Sequence, residues 1–152
     1  MGIDAKYVHT NIISEDWKNL ARFYETVFGC KRVLPERNMS GPWIEDGTGV
    51  PNAQVQGAHL RLPGYGDSGP TLEIFQYNIG EQGTRKKINE TGLAHIAFLV
   101  EDVAKALKEV IANGGSQLGK IVTKYIAEVG TLTFVYVRDP DGNIVELQNW
   151  KK

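Results

Sequence analysis

A chain of 152 residues, 41% of them hydrophobic, can bury a good core as one compact unit or as two small, intimately packed ones. With 17 basic against 18 acidic residues and no basic cluster beyond Arg85-Lys86-Lys87, it lacks the electrostatic footprint expected of a nucleic-acid or membrane-surface partner. No stretch approaches bilayer length and the N-terminus lacks the basic and apolar regions of a signal peptide, so a cytoplasmic location is the expectation, while the lone Cys30 reads as a small buried hydrophobe.

In chain order, residues 6–13 read as a strand. Ser14 then caps a helix whose apolar positions Trp17, Leu20, Tyr24, Val27 and Phe28 keep helical spacing, and Gly29 stops it. That helix is expected to cover the sheet face bearing Val8, Ile12, Leu72 and Ile74. Strands follow over 31–35, 55–62 and 71–77. Between the first two, residues 38–54 form a Gly- and Pro-containing stretch with Trp43 that reads as a loop and a candidate lid. The run from Pro63 to Pro70 is turn-rich, lacks a Gly-Lys-Ser/Thr ending and leads into a strand, so it reads as a hairpin connection and not as a phosphate loop. The order then repeats: a strand over 93–100, a helix over 103–113 with Val103, Leu107, Val110 and Ile111 on one side, and strands over 117–126, 131–138 and 144–149. Asp139-Pro140-Asp141-Gly142 supplies the turn between the last two.

Residues 7–29 and 93–115 align without a gap at an offset of 86, placing His9 on His95, Glu15-Asp16 on Glu101-Asp102 and Gly29 on Gly115. Leu72-Glu73-Ile74 is answered by Val145-Glu146-Leu147. A doubled βαβββ unit predicts an α+β fold, tandem modules forming a curved, mixed sheet cup with helices outside, within one domain over 1–152 (modules at about 5–80 and 91–150). The His-to-Glu separation is 64 residues in the first half and 51 in the second, and the surplus of 13 is assigned to the 38–54 loop.

His9, Glu73, His95 and Glu146 each interrupt an apolar strand-like run. Because side chains alternate across a strand, the apolar neighbours face one way and the ionisable residue the other. Two imidazoles and two carboxylates gathered on one face would suit a borderline or hard divalent cation. Any one such residue is more often a satisfied structural group; four at equivalent places in a repeat argue for a site. Parity sets His9 beside Tyr7 and Asn11, Glu73 beside Thr71, Phe75 and Tyr77, and Glu146 beside Ile144 and Gln148, a mixed lining suited to a small molecule. Asn11, Trp43, Phe75, Tyr77 and Gln148 are therefore the candidate substrate-binding residues. His59, without a counterpart in the second half, reads as a strand residue with a local hydrogen bond and not as a ligand.

The doubled pattern, the His/Glu/His/Glu order, the stretch Gly92-Leu93-Ala94-His95-Ile96-Ala97-Phe98 and the ending Asp139-Pro140-Asp141-Gly142-Asn143-Ile144-Val145-Glu146-Leu147 resemble the vicinal oxygen chelate superfamily, over nearly the whole chain. The resemblance implies that His9, Glu73, His95 and Glu146 are metal ligands. Two His and two Glu resemble the glyoxalase I set, in which a redox-inert divalent ion (Zn, Ni, Co or Mn, with Fe less favoured) spreads the charge of an enediolate. The implied activity is that of a lyase or isomerase moving a proton on a small 2-oxo or thioester substrate, with Glu146 as first choice of catalytic base and Glu73 its partner. Bacterial-type glyoxalase I carries an arginine four residues beyond the first His and an asparagine four beyond the first Glu, where this chain has Ile13 and Tyr77, which argues against glutathione. The alternatives are a metabolite- or drug-sequestering protein of the same fold and an enzyme similar to methylmalonyl-CoA epimerase. Relatives build the site within one chain or across two, and a homodimer is expected.

Overall fold

The computed structural model describes residues 2–152. The chain divides into two compact units at Gln82/Gly83. In the first, β1 (His9–Ile13) leads through α1 (Trp17–Phe28) to β2 (Lys31–Ser40), α2 (Pro42–Thr48), β3 (Gln54–Arg61) and β4 (Thr71–Tyr77). In the second, β5 (His95–Leu99) leads through α3 (Val103–Ala112) to β6 (Ser116–Gln117), β7 (Val122–Ile126), β8 (Gly130–Arg138) and β9 (Ile144–Lys151). The class is α+β, and each unit is an elaborated βαβββ module around one mixed sheet.

The first sheet runs β1-β4-β3-β2, with β1 parallel to β4 and the other pairs antiparallel. Since β1 and β2 lie at opposite edges, α1 must cross the two strands between them, and it packs on β3 and β4. Trp17, Leu20, Ala21, Phe23 and Tyr24 are its buried side chains, and opposite them Ala58, Leu60, Leu72 and Ile74 are fully buried. Register pairs Leu60 with Leu72 and Ala58 with Ile74, so His59 and Glu73, one residue out of step with both pairs, face away from the helix. The second sheet, β5-β9-β8-β6 with β7 also on β8, repeats the scheme: α3 packs on β8 and β9, and Val135, Val137, Val145 and Leu147 form the apolar face.

Several boundaries differ from the sequence expectation, each for a local reason. β1 starts at His9 and not at residue 6, because its partner β4 starts at Thr71, just after Pro70, and the Thr71 amide donates to the Val8 carbonyl at the end of the pairing. Val8 is accordingly 63% exposed and lies outside the helix-covered face to which periodicity had assigned it. The N-cap of α1 is Asp16, whose carboxylate accepts from the Asn19 amide, while Ser14 accepts from the Asp16 amide one step earlier. Asp102 caps α3 in the same way at the same offset. Gly29, at φ +69°, ends α1 in a left-handed conformation. Ile111 is 51% exposed and not on the buried side of α3.

β2 extends through Pro35 to Ser40. As an edge strand it tolerates a residue without an N–H, and its register shifts between Val33 and Arg37. Residues 38–54 are thus not a loop: they comprise the end of β2, α2 with Pro42 in its first turn, and the start of β3. The expected single strand over 117–126 is two, because the amides of Leu118 and Gly119 both donate to the Tyr136 carbonyl and break the ladder between β6 and β7.

Cys30 is buried beside Glu25, and burial first, then that carboxylate, pushes its thiol up to about 12. A folded-state pKa above the unfolded value keeps the thiol protonated across neutral pH, and folding stability falls only as pH climbs from the unfolded value toward the folded one, where the unfolded chain gives up the proton and the folded chain does not. Ellman's reagent at pH 8 is therefore expected to leave Cys30 unmodified until denaturant is added; rapid labelling of the native protein would contradict this.

Candidate metal centre

In the first unit the parallel pairing sets His9 opposite Thr71 and Asn11 opposite Glu73, while the antiparallel pairing on the other side sets His59 opposite Glu73. Three strands therefore converge on one carboxylate. Glu73 is only 9% exposed. Its Oε1 accepts from Asn11 Nδ2 at 2.8 Å and lies 3.5 Å from His9 Nε2, and its Oε2 lies 2.7 Å from His59 Nε2. The two imidazoles meet edge to face with centroids 5.6 Å apart, and one ligand atom each from His9, His59 and Glu73 lies within 4.8 Å of the others. A buried carboxylate is tolerated when paired, and two nitrogens with one hard oxygen form a set suited to a borderline divalent cation. The residues present fit such an ion.

His59 has the local hydrogen bond anticipated for it, Nδ1 to Thr71 Oγ1 at 3.1 Å, but it also belongs to the cluster from which the sequence reading left it out. Burial pushes its ring below the ordinary imidazole range; Glu73 pulls the other way, and Arg37, His9 and Arg61 add to the lowering. Burial prevails, favouring the neutral ring, which is the form that ligates metals. The repeat gave no sign of this residue because the second unit has Tyr136 at the equivalent register, opposite Glu146. The equivalence also divides the surplus of 13 residues. His9 to His59 spans 50 positions against 41 for His95 to Tyr136, and His59 to Glu73 spans 14 against 10 for Tyr136 to Glu146. Part of the insertion therefore lies in the β3–β4 turn and not in 38–54.

The second unit repeats the pair with fewer partners. His95 opens β5 opposite Ile144, and its Nε2 lies 3.1 Å from Glu146 Oε2. The Tyr136 ring stands edge-on to His95 at 5.0 Å, and burial, then the Glu146 charge, raises its hydroxyl pKa. Ala97 occupies the register position of Asn11, so no amide from β5 holds Glu146 as Asn11 holds Glu73.

Of the residues expected to line a substrate site, Asn11 is engaged with Glu73, Phe75 stands edge-on to His59 at 6.0 Å and Tyr77 lies half-buried at the end of β4. Gln148 accepts from the Trp150 indole at 2.7 Å. Trp43 sits on α2 and is 62% exposed. Among the described residues no helix is long and apolar enough to cross a membrane.

Residues 6–147 match the model of the Glyoxalase/Bleomycin resistance protein/Dioxygenase superfamily. The lactoylglutathione lyase of Arabidopsis thaliana is 29% identical, over 93% of this chain and 43% of its own length, so the chain spans less than half of that relative. The Escherichia coli O157:H7 lactoylglutathione lyase is 28% identical, over 93% of this chain and 90% of its own. Among solved structures, a glyoxalase family protein from Bacillus cereus superposes with a TM-score of 0.82 at 18% identity, covering 99% of this chain and 97% of that one. A genomically encoded fosfomycin resistance protein from Listeria monocytogenes superposes at 0.61 with 15% identity, covering 99% and 96%; both likenesses are of fold.

Proposed function

The chain belongs to the Glyoxalase/Bleomycin resistance protein/Dioxygenase superfamily, and from that premise we propose that it is a metal-dependent lyase or isomerase of glyoxalase I type, acting by proton transfer on a small 2-oxo or thioester compound. The observation that carries this reading is the repeated His–Glu contact: His9 with Glu73 at 3.5 Å and His95 with Glu146 at 3.1 Å, each His opening the first strand of its unit and each Glu on the last. We take these four residues as metal ligands; a divalent cation, when bound, supplies Lewis-acid stabilisation of negative charge on a substrate oxygen.

The chain's own residues divide the remaining work. Glu73, gripped by Asn11 and two imidazoles, is a held carboxylate. Glu146, with His95 as its imidazole partner and alanine where Asn11 would reach it, is the freer of the two and takes the proton at a side-chain oxygen. Phe75, Tyr77 and Gln148 bind and orient the substrate, and Trp43 is assigned to its capture from α2. Ile13, apolar where a bacterial lactoylglutathione lyase would need a guanidinium, supports a substrate other than a glutathione adduct.

Elemental analysis of the purified protein, followed by deuterium wash-in from heavy water into a panel of 2-oxo and thioester compounds, tests the reading. About one equivalent of divalent metal per chain together with exchange is the expected result. Metal without exchange would favour the second reading, a metabolite- or drug-sequestering protein of the same fold, and absence of metal would end both the ligand assignment and the chemistry built on it.

A further inference from the structure

Resting on the reading that a divalent cation binds here, we propose that His59 is itself a metal ligand, so that the ion is seated by a triad lying wholly within the first unit, His9, His59 and Glu73. The repeat does not call for this residue, because the register that places His59 opposite Glu73 places Tyr136 opposite Glu146. The triad is a built feature of three adjacent strands. His9 comes from β1, Glu73 from β4 between the two, and His59 from β3.

The surroundings of His59 are those of a ligating imidazole. A metal-bound histidine characteristically donates its other ring N–H to a fixed acceptor, which sets the tautomer and aims the ligating nitrogen. Here the buried Thr71 hydroxyl lies 3.1 Å from Nδ1, in a position to accept that proton. Nε2 then presents a lone pair to Glu73 Oε2 at 2.7 Å. Two acceptors at that distance repel unless a positive centre lies between or beside them, and a cation shared by the nitrogen and the carboxylate supplies one. In the competing arrangement Nε2 carries the proton to Glu73 and Thr71 donates to Nδ1, which makes His59 a hydrogen-bond partner only.

The two arrangements differ in what cobalt reads. Full-length protein stripped with a chelator is titrated with Co(II), following the visible ligand-field bands and measuring affinity by competition with a chromophoric chelator. His59→Ala and His59→Gln are each expected to weaken Co(II) binding by more than about a hundredfold and to alter the bands, since the loss of a ligand exceeds the roughly 10- to 100-fold typical of its supporting partners. His59→Gln keeps an amide able to hydrogen-bond Glu73, so it separates ligation from support of the carboxylate should the alanine variant fold poorly. His95→Ala, which leaves the triad whole, is expected to weaken binding less than either. Wild-type affinity and unchanged bands in both His59 variants would overturn this proposal while leaving the four-ligand assignment standing. Failure of the wild-type protein to bind Co(II) at all would overturn both.

Discussion

Glu146→Gln is expected to slow solvent deuterium exchange into a substrate by about a thousandfold, within the range that a positioned general base contributes. The substitution keeps the shape of the side chain and a carbonyl oxygen able to accept from His95 Nε2, the Glu146 contact at 3.1 Å. What it removes is basicity. Because the triad of the first unit is untouched, metal content should fall far less than turnover. Glu73→Gln is the informative contrast. There Asn11 Nδ2, at 2.8 Å, already donates to one oxygen, so the amide keeps its carbonyl toward Asn11 and turns its NH2 to His59 Nε2, 2.7 Å from the other. The amide removes the carboxylate charge and sets a donor on the ring nitrogen that would hold the cation, so this variant should lose metal. Exchange at the wild-type rate in Glu146→Gln would remove Glu146 as the base, and equal loss of metal in both variants would remove the division of labour between the two carboxylates.

Gly57→Ala is expected to destabilise the first unit by about 3 kcal/mol, the upper end of the usual cost of overpacking. A Cβ at Gly57 would collide with the carbonyl oxygen of Ile74 and stand 2.6 Å from Cδ1 of Phe75. The first obstacle is main chain and cannot rotate away, so relief requires β3 and β4 to separate. His59 and Glu73 depend on that pairing, since they lie directly opposite each other across it, on the same face and two residues along from Gly57 opposite Phe75. Chemical denaturation should therefore show a lower midpoint, and Co(II) affinity should fall although no ligand was changed. An unfolding free energy within about 0.5 kcal/mol of wild type, the range of an ordinary surface substitution, would mean that the strands accommodate a methyl group there.

The repeat made much of the fold legible. Periods of 3.6 and 2 marked both crossover helices and the strand cores, because each element buries one face and the chain must write that face at the element's own spacing. The offset of 86 carries Asp16 onto Asp102, and both are helix caps, although the local sequence points to Ser14 for the first. Strand ends were less legible. Val8 reads as a strand residue by its neighbours, yet pairing begins only where β4 begins, with His9 opposite Thr71, and a partner that distant in the chain is not written locally. The same holds for 117–126, which is continuous in propensity and broken in fact by two amides converging on the Tyr136 carbonyl.

By itself, the sequence determined which faces are apolar, that the unit occurs twice, and that an imidazole and a carboxylate recur on the polar side of each copy. Composition and alternation carry that information directly. Only the tertiary structure decided that His59 stands against Glu73, that Asn11 holds the same carboxylate, and that the second unit has tyrosine and alanine at those places. Cross-strand neighbours are set by register, and register depends on how long the intervening turn and insertion are, quantities that differ between the two halves and leave no periodic trace for a single chain to show.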